Sequence, residues 1–198
     1  DTFLLVDPVM GDNGRRYDMF TPGLLTMMKE LVRKADIITP NLTELCLLTD
    51  TDYHIIGEIT DQKELTGRIE QMCANLTGKG GNAGPDEVVV TGICYTDQTD
   101  GVRKVGNLAF SGGHADFSSF PFIGESYSGT GDLFASMIAG GRARGDSLKQ
   151  TMTLAGRIIE LAIQDSAKRN VPRNDGVDYE QYLWMLAKQT SGSDCETI

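Results

Sequence analysis

Cysteine is scarce in this sequence. Cys46, Cys73, Cys94 and Cys195 stand far apart and form no C-x-x-C pair, which argues against a zinc site or a disulfide framework and predicts a reducing, cytoplasmic setting. Positive charge is short as well. Eighteen Lys and Arg against 28 Asp and Glu leave a net charge of −10, the opposite of the basic stripe that a nucleic-acid binder carries. That balance does not exclude an anionic ligand, because a helix N-terminus and a bound cation outweigh the global field at short range. No apolar run approaches the roughly 20 residues a membrane span needs, so a soluble chain with no membrane partner is expected. Histidine is nearly absent. His54 and His114 have no partner pattern and read as loop residues.

What is present is an ordinary globular composition, 40% hydrophobic and 23% charged over 198 residues with no internal repeat, which suits one domain. Phe3–Val6, Asp36–Thr39 and Glu87–Thr91 are short apolar runs of the kind buried parallel strands show. Thr21 followed by Pro22 predicts a helix start, with Leu24, Leu25, Met28 and Leu31 on its apolar stripe. Asn41 or Thr43 can cap a second helix, and Asp61–Leu76 reads as a third, with Leu65, Ile69, Met72 and Cys73 inside. The Gly78–Pro85 segment reads as a loop. From Cys94 to Phe122 the pattern becomes alternating, with turns at Asp100-Gly101 and Gly112-Gly113, which predicts antiparallel hairpins. A helix from Asp132 to about Ala139, a long helical stretch that follows through Ile163, a last helix over Tyr179–Lys188 and a frayed tail from Ser191 complete the reading. Strands alternating with helices predict an α/β architecture on a mostly parallel sheet.

The chemistry concentrates at turns. Ser128-Gly129-Thr130-Gly131-Asp132 is a glycine-rich turn entering a helix, where free N–H groups and the helix dipole favour an anion. It lacks the Gly-Lys-Ser/Thr of a Walker A loop and the strand and glycine spacing of a dinucleotide fingerprint. On the residues alone, Asp132 serves as readily as a helix N-terminal cap. Asp7-Pro8-Val9-Met10-Gly11-Asp12 leaves the first strand at its carboxyl end, where open α/β sheets bind ligands. Its two carboxylates suit a cation beside phosphates, though Asp12 also reads as a turn residue. Thr39-Pro40-Asn41-Leu42-Thr43-Glu44 leaves the second strand in the same way, and Thr91-Gly92 the third.

These segments, in this order, resemble the ribokinase superfamily of small-molecule kinases. Asp7-Pro8-Val9-Met10-Gly11-Asp12, Met19-Phe20-Thr21-Pro22 and Gly131-Asp132-Leu133-Phe134 are most similar to its pyridoxal kinases. The resemblance implies a ribokinase-like three-layer sandwich in which Gly129, Thr130 and Gly131 form an anion hole and Asp132 is the general base. It implies ATP contacts from Asn41, Glu44, Thr91, Gly92 and Thr130, and metal contacts from Asp7, Asp12, Glu44 and Thr39. The cofactor is then Mg²⁺ with ATP, and a monovalent cation, K⁺ or Na⁺, is a further expectation beside Asp7, Thr39 and Thr91. The partners implied are ATP, a vitamin B6 vitamer and a second copy in a homodimer. Hydroxymethylpyrimidine kinases of thiamine synthesis share Asp-Pro-Val-Met but usually continue with Lys-Ser-Gly and carry a Cys in the anion hole; they are the competing reading. Relatives have several elements before the strand that leads to Asp7. The chain, which enters at Asp1 directly into that apolar run, is therefore expected to be the C-terminal, ATP-binding portion (residues 1–198) of a single kinase domain. An inactive fragment that retains nucleotide binding is the non-enzymatic alternative.

Overall fold

The computed structural model describes residues 2–78, 84–124 and 126–187. Five strands form the main sheet: β1 (Leu5–Val6), β4 (Ile37–Ile38), β5 (Glu87–Thr96), β6 (Arg103–Ser111) and β7 (His114–Pro121), hydrogen-bonded in that order. β1 pairs with β4 and β4 with β5 in parallel, while β5–β6 and β6–β7 are antiparallel. A separate hairpin joins β2 (Gly11–Asp12) to β3 (Arg15–Arg16). Its turn is Asn13-Gly14, both at positive φ (50° and 75°), the backbone that a two-residue hairpin turn requires.

Alternation along the strands assigns the two faces. Val6, Ile38, Val88, Val90, Leu108 and Phe110 pack on one side, with Ile56, Leu65, Ile69 and Cys73 from helices. Ile37, Val89 and Ala109 point to the other and meet Phe134, Ile138, Met152, Ala155 and Ile158. The first helical layer comprises α1 (Pro22–Val32), α2 (Leu42–Leu48), α3 (Tyr53–Gly57) and α4 (Gln62–Leu76). The second is α5 (Thr130–Arg144) against α6 (Leu148–Lys168). Each fully buried Ile, Leu or Val contributes about 1.5–3 kcal/mol relative to exposure, so a sheet apolar on both faces needs both layers.

Local capping agrees with the sequence at most helix starts. The Thr21 hydroxyl accepts from Leu24 N at 3.3 Å with Pro22 in the first turn, and Asp61 caps α4 through Glu64 N at 2.8 Å. Leu65, Ile69, Met72 and Cys73 are buried as the α4 pattern requires. Five expectations are corrected. On α1, Leu24 and Leu31 are exposed while Leu25 and Met28 pack on the core. The third strand does not end at Thr91 but continues to Thr96 past an irregularity between Val90 and Ile93, where Gly92 takes φ 70°. The helix expected from Asp132 to about Ala139 continues to Arg144, and the stretch expected to follow through Ile163 is α6, which runs to Lys168. Gly145, left-handed at φ 87°, closes α5, and Ser147 opens α6 with a capping box to Gln150. After α6, the expected last helix is a pair of 3-10 turns, Arg173–Asp175 and Glu180–Tyr182, and one helical turn, α7 (Trp184–Ala187). His54 lies in α3 and His114 opens β7, not in loops. Most of the Gly78–Pro85 loop, Lys188 and the tail with Cys195 lie outside the described residues.

Candidate active site

The carboxyl ends of β1 and β4 and the irregularity within β5 bring Asp7, Thr39–Asn41 and Thr91-Gly92 together. Thr39, 3% exposed, donates its hydroxyl to Asp7 Oδ1 at 2.8 Å. Thr91 N donates to Pro40 O at 2.9 Å, and an isolated parallel bridge links Asn41 to Thr91. The bulge at Gly92 re-aims the strand at the point where a ligand would approach, a common place for such irregularities.

Asn41 and Glu44 form a capping box on α2. Asn41 Oδ1 accepts from Glu44 N at 3.0 Å, and Glu44 Oε2 accepts from Asn41 N at 2.8 Å. The other Glu44 oxygen accepts from Met10 N at 3.0 Å, and Asn41 Nδ2 donates to Gly11 O at 2.8 Å. Two side chains from the second strand's exit therefore hold the Asp7–Asp12 loop. Burial pushes the Glu44 carboxyl up to about 7, against the lowering effect of its backbone donors and with the Asp7 charge adding to the rise. Asp7 is raised by burial in the first place, opposed by the Thr39 hydrogen bond and reinforced by repulsion from Asp132. That repulsion places the first-strand carboxylate in the electrostatic reach of the α5 N-terminus.

α5 begins without a side-chain cap. Gly129 is its N-cap at φ 79°, ψ −2°, and Leu133 N makes the first intrahelical bond, to Gly129 O at 3.0 Å. The N–H groups of Thr130, Gly131 and Asp132 thus have no side-chain partner at the N-cap, the arrangement that binds anions. A Cβ placed on Gly129 or Gly131 would meet nothing within 4 Å, so the space over this turn is open. The Thr130 hydroxyl donates to Tyr127 O at 3.1 Å. Asp132, in the first turn, is exposed. It is not the N-cap, which is Gly129.

Asp12 points outward, and its two oxygens accept from the backbone and side-chain nitrogens of Asn13, each at 2.8 Å. It borders a cleft of about 280 Å³ lined also by Asn41, Thr43, Tyr53, Gly92 and Arg103. A larger cavity, about 490 Å³, lies beside Asp36, Glu87, Ser111 and Arg142, at the opposite ends of the strands and apart from every motif; location, not size, identifies the site. Among the described residues no group of three or more His, Cys, Asp or Glu could hold a metal by itself. The carboxylates that could share a divalent cation with phosphates are Asp7, Asp12 and Glu44; one oxygen of Asp7 and both oxygens of Asp12 and of Glu44 already accept a hydrogen bond. Residues the motifs did not reveal are Thr43, whose hydroxyl accepts from Gly14 N at 2.9 Å, and Arg103 and Arg173, which no local pattern marks.

The family model for phosphomethylpyrimidine kinase matches residues 1–176. A pyridoxine/pyridoxal/pyridoxamine kinase of Bordetella avium is 29% identical over 191 residues, covering 92% of this chain and 58% of that protein. A Bacteroides thetaiotaomicron crystal structure with pyridoxal, provisionally described as a phosphomethylpyrimidine kinase, superposes with a TM-score of 0.78 at 31% identity, over 94% of this chain and 61% of that one. Pyridoxal kinase from Lactobacillus plantarum does so with a TM-score of 0.74 at 28% identity, over 93% and 61%. The chain thus spans less than two thirds of the length of these relatives. With that family model matched over residues 1–176, the chain belongs to the phosphomethylpyrimidine kinase family and has its ribokinase-like α/β fold.

Proposed function

We propose that this chain supplies the ATP-binding and catalytic part of a cytoplasmic kinase that phosphorylates the 5′-hydroxymethyl group of pyridoxal, pyridoxine or pyridoxamine. The observation that carries the reading is the α5 N-terminus, where open N–H groups and an exposed first-turn carboxylate share one turn. The γ-phosphoryl group of ATP rests on the N–H groups of Thr130, Gly131 and Asp132, which stabilise the charge that spreads over its oxygens during transfer. Asp132 accepts the proton of the acceptor hydroxyl as the new O–P bond forms and the β–γ bridge breaks, releasing ADP. Magnesium, when bound with ATP, neutralises phosphate charge; the carboxylates of Asp7, Asp12 and Glu44 are the candidates to share it. Asn41, Thr91 and Gly92 border the path of the phosphates, and Glu44 acts on them by holding the Asp7–Asp12 loop. Acceptor recognition by a B6 vitamer draws support from the Bacteroides structure with pyridoxal and the two kinase relatives named for B6 vitamers.

The test is Asp132→Asn in the full-length protein. Turnover of pyridoxal should fall by roughly 10²–10⁴-fold while nucleotide affinity, read by titration calorimetry, stays near wild type. Turnover within threefold of wild type would remove Asp132 from the base role.

A further inference from the structure

The turn that carries the anion-binding N–H groups is held from the far end of the second helical layer. Arg173 Nε donates to Ser126 O at 2.8 Å, across 47 residues of sequence. Ser128 N donates back to Arg173 O at 3.0 Å. The two bonds bracket Tyr127, which is 5% exposed and whose carbonyl receives the Thr130 hydroxyl. One residue further along is Gly129, at φ 79°. Beside the clasp, Gly176 adopts φ 85°, ψ −162°, a region essentially confined to glycine. A Cβ on Gly176 would lie 3.6 Å from Ser128 O.

The clasp has a firm base. Val171 N donates to Ser166 O at 3.0 Å, and Ser166 Oγ, on a residue that is 0% exposed, accepts from Asp178 N at 3.0 Å. Arg169 pairs with Asp178 at 2.9 Å. Segment 171–178 is thereby tied to the C-terminal end of α6, and α6 packs on α5. The chain leaving the second helix returns to grip the loop that starts the first. Leu133 N closes the first helical bond, and Thr130 Oγ1 fixes one side of the turn, but the direction from which the chain enters Gly129 is set by Ser126–Ser128. A rotation there would change the aim of the N–H groups of Thr130 and Gly131.

We propose that Arg173 is a positioning residue for phosphoryl transfer, holding the 126–128 loop so that the α5 N-terminal N–H groups and Asp132 keep their aim; this rests on the kinase reading above. Arg173 touches no reacting atom. Its effect belongs in kcat, because a misaimed anion hole weakens transition-state contacts more than ground-state ATP binding. Misplacement on the order of 1 Å costs about 10²-fold in favourable cases, so Arg173→Ala should lower kcat by roughly 10–100-fold. KM for ATP should stay within about threefold of wild type. The side chain is exposed, so its removal opens no buried cavity and the melting temperature should hold.

The experiment measures kcat, KM for ATP and melting temperature in the full-length protein for wild type, Arg173→Ala, Arg173→Lys and Arg173→Gln. Lys and Gln each keep an N–H donor for Ser126 O and should recover part of the lost kcat. They also keep the test open should the alanine variant fail to fold. An active wild type with Arg173→Ala at full kcat overturns the positioning role alone. So does a kcat loss matched by a fall in melting temperature and unrelieved in the Lys and Gln variants, which marks a merely structural contact. A wild type that transfers no phosphate to any acceptor overturns the kinase reading, and the inference with it.

Discussion

Glu44 carries a structural duty beside the one its motif implied. The Thr39-Pro40-Asn41-x-x-Glu44 pattern implied direct service to phosphate and metal, and both carboxylate oxygens also accept backbone N–H groups, of Met10 and Asn41. The side chain is a brace between two loops. Its pKa, pushed up by burial from 4.5 to about 7, has a consequence for stability. The native state holds more protons than the unfolded chain over that window, so the contribution of this group is fully present below about pH 4.5 and is lost as pH rises through 7. Asp7 is also raised by burial, from 3.8, and works in the same direction. Wild-type unfolding free energy should therefore decline between about pH 5 and 8, and Glu44→Gln should flatten that decline. The variant should also lose roughly 1–3 kcal/mol at low pH, where Glu44 is protonated, because its amide turns N–H donors toward a backbone N–H. Urea unfolding across the pH range measures both. Identical slopes in the two proteins would show that Glu44 does not titrate in that window.

At the scale of elements, the two helical layers differ in how closely their backbones approach neighbours. A Cβ on Gly141 of α5 would sit 2.4 Å from Thr151 Cγ2 of α6, and Thr151 is 5% exposed and anchored by its hydroxyl to Ser147 O at 3.0 Å. Gly67 of α4 has nothing within 4 Å of the same position. Gly67→Ala should thus stabilise the protein by up to about 1 kcal/mol through helix propensity. Gly141→Ala should destabilise it, overpacking of about 1–3 kcal/mol outweighing the same propensity gain. Unfolding midpoints that move in the same direction for both would contradict the packing between α5 and α6. The same elements show what the sequence could reveal. Thr21-Pro22, Asp61 and the α4 stripe marked their helices because caps and apolar period are local. The break between α5 and α6 was placed early, near Ala139, because Gly140-Gly141 reads locally as a helix stop, whereas Gly141 lies inside α5 against Thr151. Arg173 was invisible for a different reason: it acts at 47 residues' separation, and only the fold brings it to Ser126. The turn at Gly129 was readable because positive φ beside a helix start has a residue signature.

For the molecule as a whole, the sheet collects Asp7, Asn41 and Gly92 from three strands and sets the α5 N-terminus against them. The chain carries a net charge of −10, and on the proposed reading the open N–H groups and a bound cation supply the local attraction that ATP needs. Among the described residues no helix is long and apolar enough to cross a membrane. The central claim is transfer of phosphate to a pyridine-borne hydroxymethyl group, and the family's own name offers the pyrimidine as rival acceptor. The direct measurement is kcat/KM of the full-length protein with ATP and magnesium for pyridoxal, pyridoxine and pyridoxamine beside hydroxymethylpyrimidine, the ratio that defines discrimination. At least one B6 vitamer is predicted to exceed the pyrimidine by about tenfold or more. A higher kcat/KM for hydroxymethylpyrimidine, or transfer to none of the four, would contradict it.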